Sequence, residues 1–199
     1  MLKSDILKPI VLASTPSARQ AQLQRLGVSF IAAAPVCDET ALAGETALAT
    51  AQRLAIVKAK SLQQDYPDSL IIGADQVALL NGQQLGKPLT VPAARSMLAA
   101  MSGQIIEFYS AMCLFNAKNK AEHTHVDLTR VIMRSLSDEQ ISCYLEREPD
   151  AVYCAGSAKS EGLGMALIER IDSTDPNALL GLPMFKLIEF LQAEGYSVL

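Results

Sequence analysis

The chain lacks the excess of positive charge that a general nucleic-acid binder presents: 17 Lys and Arg stand against 21 Asp and Glu in 199 residues, a formal net charge of −4. Proteins that grip a phosphate backbone normally carry a basic stripe over much of one face. A nucleic-acid polymer is therefore not expected as a partner, and basic groups that handle a nucleotide must be few and local. Cysteine is also scarce. Cys37, Cys113, Cys143 and Cys154 form no C-x-x-C pair, which argues against a zinc site of the usual spacing. They read as reduced, mostly buried small hydrophobes of a cytoplasmic protein. Long apolar runs are missing as well. Nowhere do 18 consecutive apolar residues occur, so no membrane span is expected. The start, Met1 to Lys8, carries Lys3, Asp5 and Lys8 before the short apolar run Pro9 to Ala13, too brief for a signal-peptide core. Neither an internal repeat nor a Gly-, Ser- or Pro-rich linker divides the sequence, which reads as one unit over residues 1–199.

What is present is apolar substance. Half of the residues are hydrophobic and 19% are charged, a balance that excludes a disordered tail. A chain of about 200 residues buries roughly 70% of the surface its unfolded form exposes, so neither disulfides nor a structural metal is needed.

The apolar pattern predicts a strand over Ile10 to Ala13, then a helix capped by Ser14 or Thr15, with Pro16 at its first position and Gly27 as its stop. A second strand is expected over Val28 to Ala34 and a polar loop over Pro35 to Glu45. The longest helical pattern is Ala47 to Gln64. Leu70 to Leu80 is a nearly continuous apolar run, as in a buried strand, and ends in an Asn81-Gly82 turn. A helix over Val91 to Met101 precedes an antiparallel pair, Ile105 to Phe115 and Thr124 to Arg134. Ser137 and Gln140 form a capping-box start for a helix to Arg147. Short strands are expected over Tyr153 to Ser157 and Met165 to Arg170, and Pro183 opens a last helix ending at Gly195. The mixture without regular βαβ repetition implies an α/β unit with a mixed sheet.

Several residues break this pattern. Lys58 shares a helical face with Ala51, Leu54, Ala55 and Leu62, so it either snorkels to water or is held in a cleft to meet an anion. Asp75 lies inside the apolar run, where a carboxylate is costly unless paired, hydrogen-bonded or bound to metal; general base and metal ligand are its functional readings. Lys87 lies in Gly82-Gln83-Gln84-Leu85-Gly86-Lys87-Pro88, which is not a phosphate-binding P-loop, because only three residues separate the glycines and Pro88 replaces the magnesium-binding hydroxyl. Flanked by backbone-restricting residues, it suits a fixed phosphate contact. Arg19 lies in the first turn of its helix, where the dipole disfavours a cation unless an anion is also present. Asp38-Glu39 reads alone as a solvated acidic pair. His123 and His125 alternate along a strand without a third ligand nearby, and Gly162 and Gly164 do not continue to a dinucleotide fingerprint.

In order along the chain, these residues resemble the Maf family of nucleoside triphosphate pyrophosphatases over nearly the whole length. The matching stretches are Leu12-Ala13-Ser14-Thr15 with Arg19 and Leu23, Asp38-Glu39-Thr40, Ala55 to Lys60, Ile71 to Asp75 and Gly86-Lys87-Pro88, followed by Ser102-Gly103, Leu136-Ser137 with Ile141 and Tyr144, Ala155-Gly156, and Asn177 to Pro183. The resemblance implies a mixed, twisted sheet in two lobes around a central cleft, akin to the house-cleaning inosine triphosphate pyrophosphatases. It also implies a divalent cation, Mg²⁺ or Mn²⁺, and a homodimer. The implied reaction cleaves the bond between α and β phosphates. By position, Asp75 would be the proton acceptor, Glu39 and Asp75 would hold metal and water, and Arg19, Lys58 and Lys87 would clamp the triphosphate beside Ser14. Gln76 after the Asp and Glu161 in Lys159-Ser160-Glu161-Gly162 resemble the branch that acts on 7-methyl-GTP. A carboxylate can offset the charge of an N7-methylated guanine and accept from its Watson–Crick edge. The alternatives are a dTTP/UTP pyrophosphatase of the same family and a non-catalytic nucleotide-binding regulator of cell division. The first loop departs from the family pattern, with Pro16 and Ser17 exchanged and Gln20 in place of a second Arg, which points to one weaker phosphate contact.

Overall fold

The computed structural model describes residues 8–199, so most of the stretch read above for a leader, residues 1–7, lies outside the described residues. Seven strands form one mixed sheet. β1 (Ile10–Ala13) lies between β2 (Phe30–Ala33) and β3 (Leu70–Leu80) and is parallel to both. β3 continues past the end of β1 and pairs antiparallel with β5 (Ile105–Asn116), which pairs in turn with β6 (Glu122–Met133), and β6 with β7 (Ile168–Asp172). β4 (Gln83–Leu85) folds back on β3 through the Asn81-Gly82 turn. The connection from β1 leads one way to β2 and the next leads the other way to β3. The carboxyl end of β1 is thus a topological switch point, where α/β sheets open a crevice.

Side-chain alternation assigns the helices to faces. Leu70, Ile72 and Ala74 of β3 join Ile10 and Leu12 in a core with Leu23 of α1 (Ser17–Leu26) and Leu187 and Leu191 of α5 (Met184–Ala193). Ile71 and Val77 point the other way, into a core with Ala51, Ala55 and Ala59 of α2 (Ala47–Ser61). Gly73 lies on this second face, and a Cβ there would stand 2.1 Å from the Ala55 carbonyl oxygen and 2.5 Å from the Ala59 nitrogen. The helix therefore rests directly on the strand backbone. A third core gathers Ala78, Phe108 and Val131 under α3 (Val91–Met101) and α4 (Asp138–Arg147), making the second lobe. Among the described residues, no helix is long and apolar enough to cross a membrane.

Most expected elements occur with shifts of a few residues at their ends, and the Ser137–Gln140 capping box is formed. Three expectations are corrected. Pro16 is the N-cap of α1 rather than its first helical residue, and neither Ser14 nor Thr15 caps it, because the Ser14 hydroxyl is engaged by Arg19. Residues 153–157 are not a strand. Gly156 and Ser157 both take positive φ, 72° and 56°, which an extended strand does not admit, and the chain makes short 3₁₀ turns over Pro149–Tyr153 and Ala155–Ser157 instead. The strand expected from Met165 begins at Ile168, after a 3₁₀ turn over Leu163–Leu167.

Candidate active site

A cavity of about 430 Å³ opens at the switch point between the lobes, and all eight residues singled out as site candidates line it: Ser14, Arg19, Glu39, Lys58, Asp75, Gln76, Lys87 and Glu161. The first lobe supplies Ser14 just after β1, Arg19 from α1, Glu39 from the loop after β2, and Lys58 from α2. Asp75 stands on β3 two residues beyond Gly73, where pairing with β1 has ended, so the strand carries it from the core into the cleft. Across the cleft, the β4 hairpin brings Lys87, and the loop before Leu163 brings Glu161.

Lys58 is the hub of the acidic groups. Only 6% exposed, it donates to Asp75 Oδ1 at 2.7 Å and to Glu39 Oε2 at 2.8 Å. Lys58 thus lies in the cleft rather than reaching along its stem to open water, and the anions it meets there are two carboxylates of this chain. Burial pushes the Asp75 carboxyl above its ordinary value, while the Lys58 hydrogen bond, the Lys58 charge and the more distant Arg19 pull it back. The second oxygen of each carboxylate, Asp75 Oδ2 and Glu39 Oε1, has no partner among the described residues.

Arg19 is also buried, donating from Nη1 to Ser14 Oγ at 2.9 Å and to the Ala74 carbonyl at 3.0 Å, and from Nε to the Gly181 carbonyl at 3.2 Å. Burial lowers its pKa, against the opposing charges of Asp75 and Glu39. These bonds hold the guanidinium beside the start of α1, whose first turn has neither a side-chain cap nor an acidic residue. Its free backbone N–H groups and the positive end of the helix dipole make this corner suited to an anion. Gln20 donates to the Thr15 carbonyl and does not line the cavity.

Gln76 points to the face opposite Asp75, between the first-lobe and second-lobe cores. Its amide donates to Ser110 Oγ at 2.8 Å and to the Leu179 carbonyl at 3.0 Å. The nitrogen is committed to the protein, and the amide oxygen of this cavity-lining residue accepts no hydrogen bond among the described residues. Lys87 and Glu161 are exposed and have no ion pair or side-chain hydrogen bond among the described residues. The backbone around Lys87 is fastened, because the Gly86 carbonyl accepts from Gly156 N and Leu89 N donates to the Val152 carbonyl.

Sequence reasoning missed some of the wall. Phe108 and Tyr153 line the cavity, but an aromatic in a strand or an apolar turn reads as core. His123 is engaged by Glu194 Oε1 at 2.9 Å, and no group of three or more His, Cys, Asp or Glu able to hold a metal occurs among the described residues.

The donor chemistry fits a hard divalent cation that completes its shell with phosphate and water. Glu39 and Asp75 each keep one free oxygen, and such an ion needs only one or two protein carboxylates. Charge balance agrees: the three cations and three carboxylates lining the cleft cancel, so the protein alone presents little net attraction to a polyanion.

Comparison with known proteins is consistent along the chain. The sequence is 54% identical over 191 residues to the 7-methyl-GTP pyrophosphatase of Neisseria gonorrhoeae, covering 96% of this chain and 97% of that one. It is 55% identical to the protein of the same name from Chromobacterium violaceum, over 96% and 98% of the two chains. With that from Nitrosospira multiformis it shares 44% over the full length of both. Among solved structures, the Staphylococcus aureus Ham1 protein aligns with a TM-score of 0.45 at 14% identity, over 64% of this chain and 73% of that one. The family model described as Maf-like protein matches residues 9–194, and the chain belongs to the Maf family.

Proposed function

We propose that this protein is a nucleoside triphosphate pyrophosphatase that hydrolyses the α–β phosphoanhydride bond of 7-methyl-GTP, giving the nucleoside monophosphate and pyrophosphate. The observation that carries the reaction is Asp75, a largely buried carboxylate bonded to Lys58 that shares one cleft with the uncapped start of α1. Burial raises its proton affinity, which suits a general base that removes a proton from the attacking water. Lys58 holds Asp75 and Glu39 in place. Arg19, with the α1 N-terminus, and Lys87 face the triphosphate from the two lobes and offset the charge that develops on the departing pyrophosphate. A Mg²⁺ or Mn²⁺ ion held by Glu39 and Asp75 would supply the charge neutralisation that the balanced side chains lack.

The base assignment rests on Glu161 and on the name shared by the relatives. With no protein partner among the described residues, this carboxylate is available to the cationic ring of 7-methylguanine, and the Gln76 oxygen offers a second acceptor. A homodimer and a cytoplasmic setting belong to the same reading, and light scattering and cell fractionation test them. The decisive assay is pyrophosphate release from a nucleotide panel with magnesium. 7-Methyl-GTP should be turned over fastest, and equal or higher activity on dTTP or UTP would move the protein to the pyrimidine-preferring reading. Tight binding without turnover, across several metals, would make it a nucleotide-binding regulator. Asp75→Asn should lower kcat by roughly 10²- to 10⁴-fold, as loss of a general base does. Wild-type activity in that variant ends the assignment.

A further inference from the structure

Among the described residues Glu161 has no side-chain partner, so its aim depends on its backbone. That backbone is unusually well held. The Lys159 carbonyl accepts from Gly162 N at 3.0 Å and from Gly164 N at 3.1 Å, closing a turn whose two central residues are Ser160 and Glu161, both on the cavity wall. Gly164 cannot be enlarged without moving backbone, and Gly162 can be enlarged only if the Glu148 carboxylate gives way. A Cβ on Gly164 would come within 2.5 Å of the Lys159 carbonyl oxygen, and one on Gly162 within 2.5 Å of Glu148 Oε2.

Glu148 is the more telling contact, because it lies outside the cavity at the C-cap of α4. A carboxylate there opposes the helix dipole and needs another reason to be present. It accepts from Lys159 Nζ at 2.8 Å through Oε1 and from Leu163 N at 3.2 Å through Oε2. One carboxylate thus fastens both ends of the turn. Lys159 draws the Glu148 carboxyl below its ordinary range, and Glu148 in turn raises the Lys159 ammonium. One helical turn earlier, the Tyr144 hydroxyl donates to the Ser157 carbonyl at 2.9 Å and accepts from Lys159 N at 3.0 Å. The final turn of α4 is therefore a post to which the Glu161 loop is tied at three points.

We propose that Glu148, with Lys159 and Tyr144, is a positioning clamp that aims the Glu161 carboxylate and thereby sets base selectivity while touching no part of the substrate; this rests on the reading of Glu161 given above. The clamp is specific in what it controls. It belongs to the second lobe, away from Asp75, Lys58 and Glu39, so loosening it should weaken recognition of the base and leave the chemical step intact. The effect should appear in KM for the preferred nucleotide and not in kcat.

The test is steady-state kinetics of wild type, Glu148→Gln, Lys159→Met, Tyr144→Phe, Glu161→Gln and the reversed pair Glu148→Lys/Lys159→Glu, each on 7-methyl-GTP and on GTP. Glu148→Gln and Lys159→Met should reduce the ratio of kcat/KM for 7-methyl-GTP to that for GTP about tenfold through KM, with kcat on GTP within about twofold of wild type. The reversed pair should recover part of the ratio. In a Glu161→Gln background, Glu148→Gln should change the ratio by less than about twofold, because the clamp then has nothing to aim. An unchanged ratio in Glu148→Gln, or an effect that simply adds to that of Glu161→Gln, overturns the clamp even where thermal stability falls. A wild type that does not prefer 7-methyl-GTP overturns the base assignment instead. The same variants then judge the clamp on the ratio of whichever nucleotide is preferred to GTP, or to UTP where GTP itself is preferred. Loss shared with Glu161→Gln supports the clamp, and its absence refutes it.

Discussion

Gly73→Ala adds one methyl group at the closest approach of α2 to the sheet, 15 residues along the chain from the lysine it should disturb. The new Cβ would lie 2.1 Å from the Ala55 oxygen, 2.5 Å from the Ala59 nitrogen and 2.9 Å from the Ala59 Cβ. Two of the three are backbone atoms of one helix, so no rotamer change relieves them. Restoring even a tight contact of about 3 Å requires helix and strand to separate by about 1 Å, and packed cores resist such insertions by roughly 1–3 kcal/mol. At about 2–4 °C per kcal/mol for a chain of this size, the thermal midpoint should drop by about 2–12 °C.

The larger effect should be catalytic. Lys58 adjoins Ala59 on the same helix and reaches Asp75 at 2.7 Å, so a helix displaced by about 1 Å draws the ammonium from its short contacts with Asp75 and Glu39. Misplacement on that scale costs up to about 10²-fold in rate. The assay is pyrophosphate release at saturating nucleotide, run at a temperature where circular dichroism shows the variant folded. Adding Ala59→Gly should not rescue it, because that change removes only the 2.9 Å contact and leaves both backbone obstacles. A folded variant with kcat within about twofold of wild type would refute the claim that the Gly73 contact sets the position of Lys58.

The loop that carries Glu39 depends on a second anchor. Arg53 grips Glu45 through two bonds, Nε to Oε1 at 2.7 Å and Nη2 to Oε2 at 2.8 Å, and its Nη2 also donates to the Thr40 carbonyl at 3.1 Å. Arg53→Met should therefore lower kcat about 10-fold or more with little change in thermal midpoint, and Lys at the same position should restore little of it, since an ammonium cannot make the fork. The same grip holds the Glu45 carboxyl down to about 2. The folded form thus releases its proton more readily than the unfolded chain, so the contribution of this group to stability is complete above the ordinary carboxylate range and is lost as pH falls toward about 2. Carboxyl NMR titration should find the Glu45 midpoint near 2 in wild type and near its ordinary value in Arg53→Met; a midpoint unmoved by the mutation would contradict the assignment.

How far the sequence reveals this molecule follows from the range of the interactions involved. β3 is bounded as expected because a continuous apolar run and an Asn-Gly turn are local signals, and α3 starts where expected, with the Thr90 side chain accepting from Ala93 N as its cap. The segment 153–157 is misread because apolar residues next to Tyr suggest a strand, whereas Gly156 is held by Gly86 from another hairpin and packs against Met101. Only tertiary contact decides there. The α1 cap fails for a similar reason. Ser14 has the right chemistry and nearly the right place, but Arg19 engages its hydroxyl.

Half of the candidate site was legible as exceptions, since Arg19, Lys58, Asp75 and Lys87 are charges where the local pattern asks for something else, whereas Ser14, Glu39, Gln76 and Glu161 stand out only through the family resemblance. Their bonding was not legible. Three cations in one cleft suggest a positive trap for triphosphate, but Lys58 is held between two carboxylates, and Glu161 brings the balance of the lining to neutrality. Such a cleft cannot rely on long-range attraction alone. In the proposed reading it would gain affinity from placed contacts: the uncapped α1 N-terminus, the fixed Arg19 guanidinium and a cation held by Asp75 and Glu39. On the same reading, Glu161 would meet a cationic base in a cleft whose other lining charges, Arg19, Lys58 and Lys87 against Glu39 and Asp75, leave one positive charge over. Contacts to the triphosphate are common to all nucleoside triphosphates and cancel in the comparison between them, so under this proposal the choice of base falls to Glu161 and to the residues that aim it.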